Sequence, residues 1–257
     1  MKRLLCATVV LLAVANTQAT TLFSDSFTYP NGNLGGQGGW ITNNGTTFPI
    51  QVTGGKALLT STGLDMNAPL NSPLSLVDGT SFYIGVTLNF SAAQAAGDYF
   101  LNWSPATGSS TLISRLHARS SGGGFQLGYL ETSGTGGSLT YGSTVLNFNQ
   151  DYRVVVAYNV VAGTVNDTAS VYVDPVDYAV ESNNTPYLTD SWTSVTGEST
   201  TVGSINLRQG SAANAATLSV DNLVVATTFS EMVVPEPSSA ALVALGVMAL
   251  GIIRRRS

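Results

Sequence analysis

The feature of this sequence that most restricts its fold is a two-residue alternation of apolar and polar side chains in short runs. In residues 81–90, Phe82, Ile84 and Val86 alternate with polar or small residues, which is the pattern of a strand with one buried face. Residues 152–160 alternate similarly, but valines fill both faces, as in a central strand of a sandwich. Turns rich in Gly, Asn and Ser separate about eleven such runs, and no helical periodicity is present before the C-terminal segment. The other predicted strands are residues 22–28, 57–61, 99–104, 111–119, 124–131, 138–146, 168–174, 202–209 and 217–227. We predict an all-β fold, a two-sheet antiparallel jelly-roll sandwich.

The N-terminal end has the composition of a targeting segment. Lys2 and Arg3 precede an apolar run, and small residues surround a cleavage point after Ala19. This arrangement predicts a secretory signal peptide at residues 1–19. We assign the β-sandwich to residues 20–229, a length that suits a single domain of this class.

The C-terminal segment, residues 230–257, has three consecutive parts. The first is a Pro-Glu-Pro motif at residues 235–237, where two prolines keep the chain extended and out of a helix. Residues 238–253 predict a short transmembrane helix, and a basic tail at residues 254–257 would stay cytoplasmic by the positive-inside rule. The basic residues of that tail are Arg254, Arg255 and Arg256.

This order of parts resembles the PEP-CTERM sorting signal. The resemblance covers residues 234–257 and implies that Pro235, Glu236 and Pro237 are recognised by a membrane exosortase, which then processes the tail. It also implies export through the secretion translocon and temporary anchoring by the C-terminal helix, with the ectodomain outside the cytoplasm. By the same resemblance we expect delivery to the cell surface or the extracellular space, as in family members that occur often in bacteria that make exopolysaccharide. A plain stop-transfer anchor behind a proline linker is the alternative.

Charge and cysteine content limit the partners and the chemistry of the ectodomain. Residues 20–234 hold five basic and fourteen acidic side chains, a net charge of −9. Such a surface repels phosphate backbones, so we expect no nucleic-acid partner, whereas divalent cations would be attracted. The single cysteine, Cys6, lies in the predicted signal peptide, so we expect no disulfide and no cysteine chemistry in the mature domain.

Three segments resemble exported proteins with a concanavalin A-like (laminin-G-like) jelly roll. Residues 23–40 resemble their opening, residues 218–225 their closing strand and residues 152–174 the long hairpin between them. In related jelly rolls a structural calcium ion joins the first and last strands. The resemblance therefore implies a calcium site at Asp25 and Asp221, with backbone carbonyls as further ligands. The alternative is that both carboxylates cap turns or face solvent.

Candidate catalytic residues are few. Glycosidases on this fold carry paired acids on one strand in a Glu-x-Asp-x-Glu spacing, and this chain has no such cluster. A catalytic pair of carboxylates contributed by two distant strands could not be recognised from sequence spacing alone. His117 is the only histidine, so a catalytic triad or a histidine-rich metal site would depend on it alone. We predict that the protein is not an enzyme and assign no catalytic residue.

Two sets of residues are candidates for glycan binding. Arg115, His117 and Arg119 are spaced to share one face of a strand with Ile113, and these three polar residues predict a row that contacts anions or sugars. An ordinary polar sheet face is the alternative. Aromatic rings can stack on the apolar faces of sugars, although core packing is the commoner role for a tryptophan. The candidate rings are Trp40, Trp103 and Trp192, in or beside predicted loops, and Tyr83, Tyr99, Tyr129 and Tyr141, near predicted strands.

These observations leave three hypotheses for function, in order of preference. The first is an exported, non-enzymatic surface or matrix protein, sorted by an exosortase-type system and associated with exopolysaccharide. The second is a carbohydrate-binding module stabilised by calcium. The third is a glycan-active hydrolase or lyase, which the scarcity of paired acids disfavours.

Overall fold

The computed structural model describes residues 19–45, 47–60, 62–131, 138–163, 165–191 and 198–234. They form two antiparallel sheets, together with two short 3-10 helices at Glu181–Asn183 and Phe229–Met232. The prediction of an all-β, two-sheet jelly-roll sandwich is confirmed. The predicted signal peptide up to residue 18, the sorting motif, the transmembrane helix and the basic tail lie outside the described residues. Within those residues, no helix has the length and apolar character needed to cross a bilayer.

Sixteen strands are present in the described residues. In chain order they are β1 (Thr21–Asp25), β2 (Gly32–Asn33), β3 (Ile41–Asn44), β4 (Gln51–Thr53), β5 (Lys56–Leu59), β6 (Asp65–Ser75), β7 (Ser81–Ala92), β8 (Asp98–Ser104), β9 (Ile113–Ser121), β10 (Gly124–Leu130), β11 (Thr140–Tyr141), β12 (Asp151–Asn159), β13 (Thr168–Val173), β14 (Leu188–Ser191), β15 (Thr201–Leu207) and β16 (Thr217–Ala226).

The strands divide into a nine-stranded and a seven-stranded sheet. The nine-stranded sheet has the order β14-β13-β12-β7-β16-β5-β4-β2, with β1 paired to β16. The seven-stranded sheet has the order β11-β10-β9-β8-β15-β6-β3. Because β1 pairs with β16, the first and last strands of the sandwich lie side by side, with Thr21 opposite Ala226.

The inner faces of the two sheets enclose one large apolar core. Phe82 of the nine-stranded sheet packs edge-on against Trp103 of the seven-stranded sheet, with ring centroids 5.1 Å apart, and Tyr158 completes the cluster. In β12, Val154 and Val156 face this core while Val155 faces the other side of the sheet. The prediction that valines fill both faces of this strand is confirmed.

The outer face of the nine-stranded sheet is covered in part by the 3-10 helix Phe229–Met232. The Arg153 guanidinium fastens this helix, because its Nε and Nη2 donate to the Met232 carbonyl at 2.9 and 2.7 Å. Its Nη1 donates to the Asn222 carbonyl at 2.6 Å. Gly85 provides the room for this arrangement, since a Cβ there would collide with the guanidinium. The packed part of the described residues therefore includes this helix up to Met232.

The sequence pattern did not predict strands β2, β3, β4, β6 and β14. The 11-residue strand β6 was missed because it contains Pro69 and Pro73, which usually argue against a strand. Strand β3 pairs with β6 only as far as Asn67. Beyond that point one side of β6 is an open edge, where a missing backbone N–H breaks no ladder hydrogen bond.

Candidate functional site

The outer face of the seven-stranded sheet carries a row of three asparagines. Asn67 of β6 lies opposite Asn206 of β15, and Asn206 lies opposite Asn102 of β8. Their strand neighbours Met66, Ala68, Ile205, Leu207, Leu101 and Trp103 all point into the core. Alternation therefore directs the three amides outward. We call these three residues the amide row.

The amide row is nearly inaccessible, with exposures between 1% and 4%. The Asn206 amide nitrogen donates to Ser104 Oγ at 3.0 Å, and Ser104 Oγ lies 2.7 Å from Ser204 Oγ. By contrast, neither the amide oxygen nor the amide nitrogen of Asn67 has a hydrogen-bond partner among the described residues. A buried amide without partners costs free energy, so such a group points to a water molecule or a ligand as its partner.

One end of the amide row continues into a cluster of cations and aromatic rings. Asn102 lies opposite Arg115 of β9, and Tyr99 lies opposite His117. The Tyr99 ring contacts two guanidinium groups, with Arg208 at 4.1 Å and Arg115 at 5.4 Å from its centroid. Such contacts place positive charge on the electron-rich face of the ring.

Two carboxylates at the edge of this face contact Arg208. Its Nη1 lies 2.7 Å from Asp98 Oδ2, and its Nε lies 4.0 Å from Asp65 Oδ2. Burial raises the pKa of Asp65 to about 6, although the Gln209 N–H and Arg208 act in the opposite direction. Arg208 is therefore balanced by carboxylates of the protein itself.

Arg119 is held differently, by neutral groups. Its Nε and Nη2 donate to Gln126 Oε1 at 3.1 and 2.9 Å, and its guanidinium lies 3.9 Å from the centroid of the Tyr141 ring. The Tyr141 ring can lie flat on the sheet because Gly128 is opposite, where a Cβ would come within 2.7 Å of the ring. Within the described ranges, Arg119 forms no ion pair with a carboxylate.

His117 is neutral at physiological pH. It is 7% exposed, and burial lowers its pKa to about 3, with a smaller contribution from the nearby charge of Arg115. Its Nε2 has no hydrogen-bond partner in the described part of the chain. The imidazole therefore serves this face as a neutral hydrogen-bonding group and not as a fourth cation.

All three residues of the predicted row on β9 lie on one face of the sheet. Arg115, His117 and Arg119 share the outer face, but the prediction that Ile113 shares it is wrong. Ser114 is an extra residue in the pairing with β8, with a φ of 54°, and this bulge turns Ile113 into the core. A bulge reverses the alternation of side chains on either side of it.

The prediction that tryptophans stack on sugars is corrected for two of the three. Trp40 and Trp103 are both buried in the apolar core between the two sheets, so neither ring faces the outer surface where a ligand would lie. Trp40 packs against Phe23 and Phe27, and Trp103 lies in the central core cluster. Trp192 lies outside the described residues.

The residues at the predicted calcium site do not fit a calcium ion. Asp25 Oδ1 accepts a hydrogen bond from the Phe27 N–H at 2.7 Å. Asp25 Oδ2 accepts from Tyr29 Oη at 3.0 Å and from Trp40 Nε1 at 2.6 Å. Both oxygens thus face donors, which a cation would have to displace. The described residues contain no group of three or more His, Cys, Asp or Glu side chains arranged to hold a metal.

Asp221 lies near Asp25, as expected from the pairing of β1 with β16. Its Oδ1 accepts the Asn222 N–H at 2.7 Å, and burial raises its pKa. We therefore predict that removing calcium leaves the melting temperature unchanged. The measurement is thermal unfolding of the protein in excess chelator and again with added calcium. A lower melting temperature in chelator, restored by calcium, would contradict this assignment of Asp25 as a structural hydrogen-bond acceptor.

Sequence reasoning missed the amide row, although Tyr99 and Tyr141, the aromatic partners of the arginines, were among the candidate rings. Asn102 and Asn206 stand at polar positions of predicted strands, which is the signal that could have identified them. Asn67 gave no such signal, because its strand was not predicted. The register that places the three asparagines in one row joins strands from distant parts of the chain.

No family model matches this chain, and a search of curated proteins finds no match. Solved structures do match. The CBM2 module of the evolved Dit of Lactobacillus casei BL23 phage J-1 aligns with a TM-score of 0.51 and 11% identity, covering 82% of this chain and 96% of that chain. The carbohydrate recognition domain of Emp47p aligns with a TM-score of 0.50 and 14% identity, covering 84% and 100%. At these identities the likeness establishes the jelly-roll fold alone.

Proposed function

We propose that this protein is a carbohydrate-binding jelly-roll domain whose ligand lies across the outer face of the seven-stranded sheet. The observation that carries the proposal is the amide row, and above all the buried amide of Asn67, which has no partner among the described residues. Sugar hydroxyls both donate and accept hydrogen bonds, so they match an amide that offers both kinds of group.

The surroundings of the amide row suit a sugar as well. Tyr99 and Tyr141 are half-buried and lie on the same face, where apolar sugar surfaces can pack beside them. Polar side chains such as Gln126 and His117 line the rest of the face. The fold is also one that a carbohydrate recognition domain adopts, which makes the proposal compatible with known architecture.

The carboxylates of this face are consistent with a domain that binds a glycan without cleaving it. Asp65 and Asp98 both contact Arg208, so they are engaged in a charge pair at the edge of the sheet. A retaining or inverting glycosidase needs one carboxyl group that donates a proton and a second that acts as nucleophile or base. We assign neither role to these two residues.

The location of this function remains a proposal that rests on the sequence. The signal-like residues 1–19 and the Pro-Glu-Pro, apolar and arginine-rich segments at 235–257 support export and exosortase-type sorting to the cell surface. A glycan-binding ectodomain would then meet polysaccharide outside the cell. Attachment to that polysaccharide is the role that we propose.

The test is binding of the purified full-length protein in detergent to a panel of soluble polysaccharides, measured by affinity electrophoresis and calorimetry. We expect saturable binding to at least one of them.

The change Asn67→Ala should weaken that binding about 5- to 30-fold through loss of one or two hydrogen bonds. It should not destabilise the fold, because the amide has no protein partner in the described ranges. Asn147→Ala, an exposed change in the loop between β11 and β12, is the matched control. Absence of binding to every polysaccharide, or equal binding by Asn67→Ala, would overturn the proposal.

A further inference from the structure

The basic side chains of this domain are distributed unevenly. Residues 20–234 contain five of them, of which Arg115, Arg119 and Arg208 lie on or at the edge of the proposed glycan-binding face. The other two are engaged elsewhere: Lys56 pairs with Asp151 at 3.4 Å, and Arg153 is buried against two backbone carbonyls. A domain of net charge −9 therefore gathers most of its positive charge on one sheet.

From this distribution we infer that the proposed face selects an anionic polysaccharide, one whose sugars carry carboxylate groups. The inference rests on the proposed function and concerns the same face. A neutral sugar needs only hydroxyl-binding groups, and the amide row supplies those. The guanidinium groups beside it add a recognition element that matches a planar carboxylate.

Arg119 is the clearest of these elements. Its guanidinium is positioned by Gln126 and by the Tyr141 ring, both uncharged at neutral pH, and in the described residues it forms no ion pair. It is half-buried, so its charge is less screened than that of a side chain in open solvent. A cation that is held in place by neutral partners offers its remaining N–H groups to an external anion.

Repulsion between neighbouring cations also favours the binding of an anion at this face. Arg115 and Arg208 both contact the Tyr99 ring, and the charge of Arg208 helps to lower the pKa of Arg115, although burial is the larger cause. Asp65 and Asp98 balance Arg208, and a bound carboxylate near Arg119 would balance the charge of that guanidinium. The face is therefore favourable for an anion even though the whole domain is acidic.

The experiment compares acidic polysaccharides with their own neutral forms. Alginate, polygalacturonate and hyaluronan, each with a carboxyl-reduced counterpart, are titrated into the full-length protein in detergent beside neutral glucans. We expect at least one acidic polysaccharide to bind 10-fold or more tightly than its reduced form. We expect Arg119→Gln to remove most of that preference, because a charge-assisted hydrogen bond is worth about 10- to 100-fold in affinity.

Lys56→Gln is the matched control, because it removes the same unit of charge from the nine-stranded sheet. It should leave both affinities unchanged. Binding to neutral glucans or reduced forms that equals or exceeds binding to the acidic forms would overturn this inference and leave the proposed function intact. Equal losses in Lys56→Gln and Arg119→Gln would also overturn it, since they would indicate a general effect of net charge. Absence of binding to all of these polysaccharides would overturn the inference and the proposed function together.

Discussion

Replacing Trp40 with phenylalanine should lower the free energy of unfolding by about 3 kcal/mol or more, whereas the same change at Trp103 should cost no more than about half as much. Both indoles are fully buried, so both changes remove the same volume from the core. They differ in the hydrogen bond that the indole makes. Trp40 Nε1 donates to Asp25 Oδ2 at 2.6 Å, but Trp103 Nε1 has no partner in the described part of the protein.

The asymmetry follows from the charge of Asp25. A hydrogen bond to a charged group contributes about 1.5–3 kcal/mol, and its loss leaves a buried carboxylate short of a donor. At Trp103, phenylalanine removes a polar N–H that was buried without a partner, which offsets part of the lost packing. Urea unfolding of the two variants, followed by far-UV circular dichroism, measures the difference. Equal losses at the two positions would contradict the assignment of Trp40 and Asp25 as a buried hydrogen-bonded pair.

The fold was predictable from sequence because alternation along a strand reports directly on burial. The valines of β12 illustrate this, since Val154, Val155 and Val156 predicted a strand that is buried on both sides, and the structure has one. The same logic failed at Ser114, where one extra residue in the ladder reverses the alternation. A bulge of this kind leaves little trace in the sequence, so Ile113 was assigned to the wrong face.

The candidate site was predictable only in part, because it is a property of several strands at once. Arg115, His117 and Arg119 lie on one strand, and their spacing was enough to group them. The amide row joins residues 67, 102 and 206, which come together only through the pairing of β6, β15 and β8. Hydrophobic periodicity does not determine which strands are neighbours.

The tryptophans failed as site candidates for a related reason. Trp40 and Trp103 stand in or beside predicted loops, where an aromatic residue can be either exposed or buried. Trp40 follows a turn that brings it back onto Asp25, Phe23 and Phe27, and those contacts depend on tertiary structure. The general tendency of large aromatic rings to pack inside the protein was the better guide.

Glu131 provides the second large expected effect, on the dependence of stability on pH. Its side chain is 2% exposed, and neither carboxylate oxygen has a hydrogen-bond partner within the described residues. Burial raises the pKa of Glu131 from 4.5 to about 9, and the nearby carboxylates of Asp190, Asp167 and Glu198 act in the same direction. The native protein therefore holds a proton on Glu131 at pH values where the unfolded chain has lost it.

This difference in bound protons determines whether stability rises or falls with pH. Between pH 4.5 and about 9 the native state binds more protons at Glu131 than the unfolded state, so the free energy of unfolding falls as pH rises through that window. The slope approaches about 1.4 kcal/mol per pH unit. Glu131→Gln keeps the shape of the side chain and removes the titration, so the variant should be more stable than the parent by on the order of 2 kcal/mol or more at pH 8.

The measurement is urea unfolding of the parent and the variant at several pH values from 6.5 to 8.5. That range lies above the window in which His117, whose native pKa is lowered to about 3, makes the protein less stable as pH falls from 6.5. It also lies above the pKa of about 6 of Asp65, so the carboxylate of Asp65 is largely ionised in both states. Asp78→Asn, which removes one carboxylate at an exposed position in the turn before β7, is the matched control and should keep the parental slope. A slope in Glu131→Gln as steep as that of Asp78→Asn would mean that Glu131 is already ionised in the folded protein. An ionised Glu131 would need a partner for its buried charge, because a buried carboxylate without a partner is strongly destabilising.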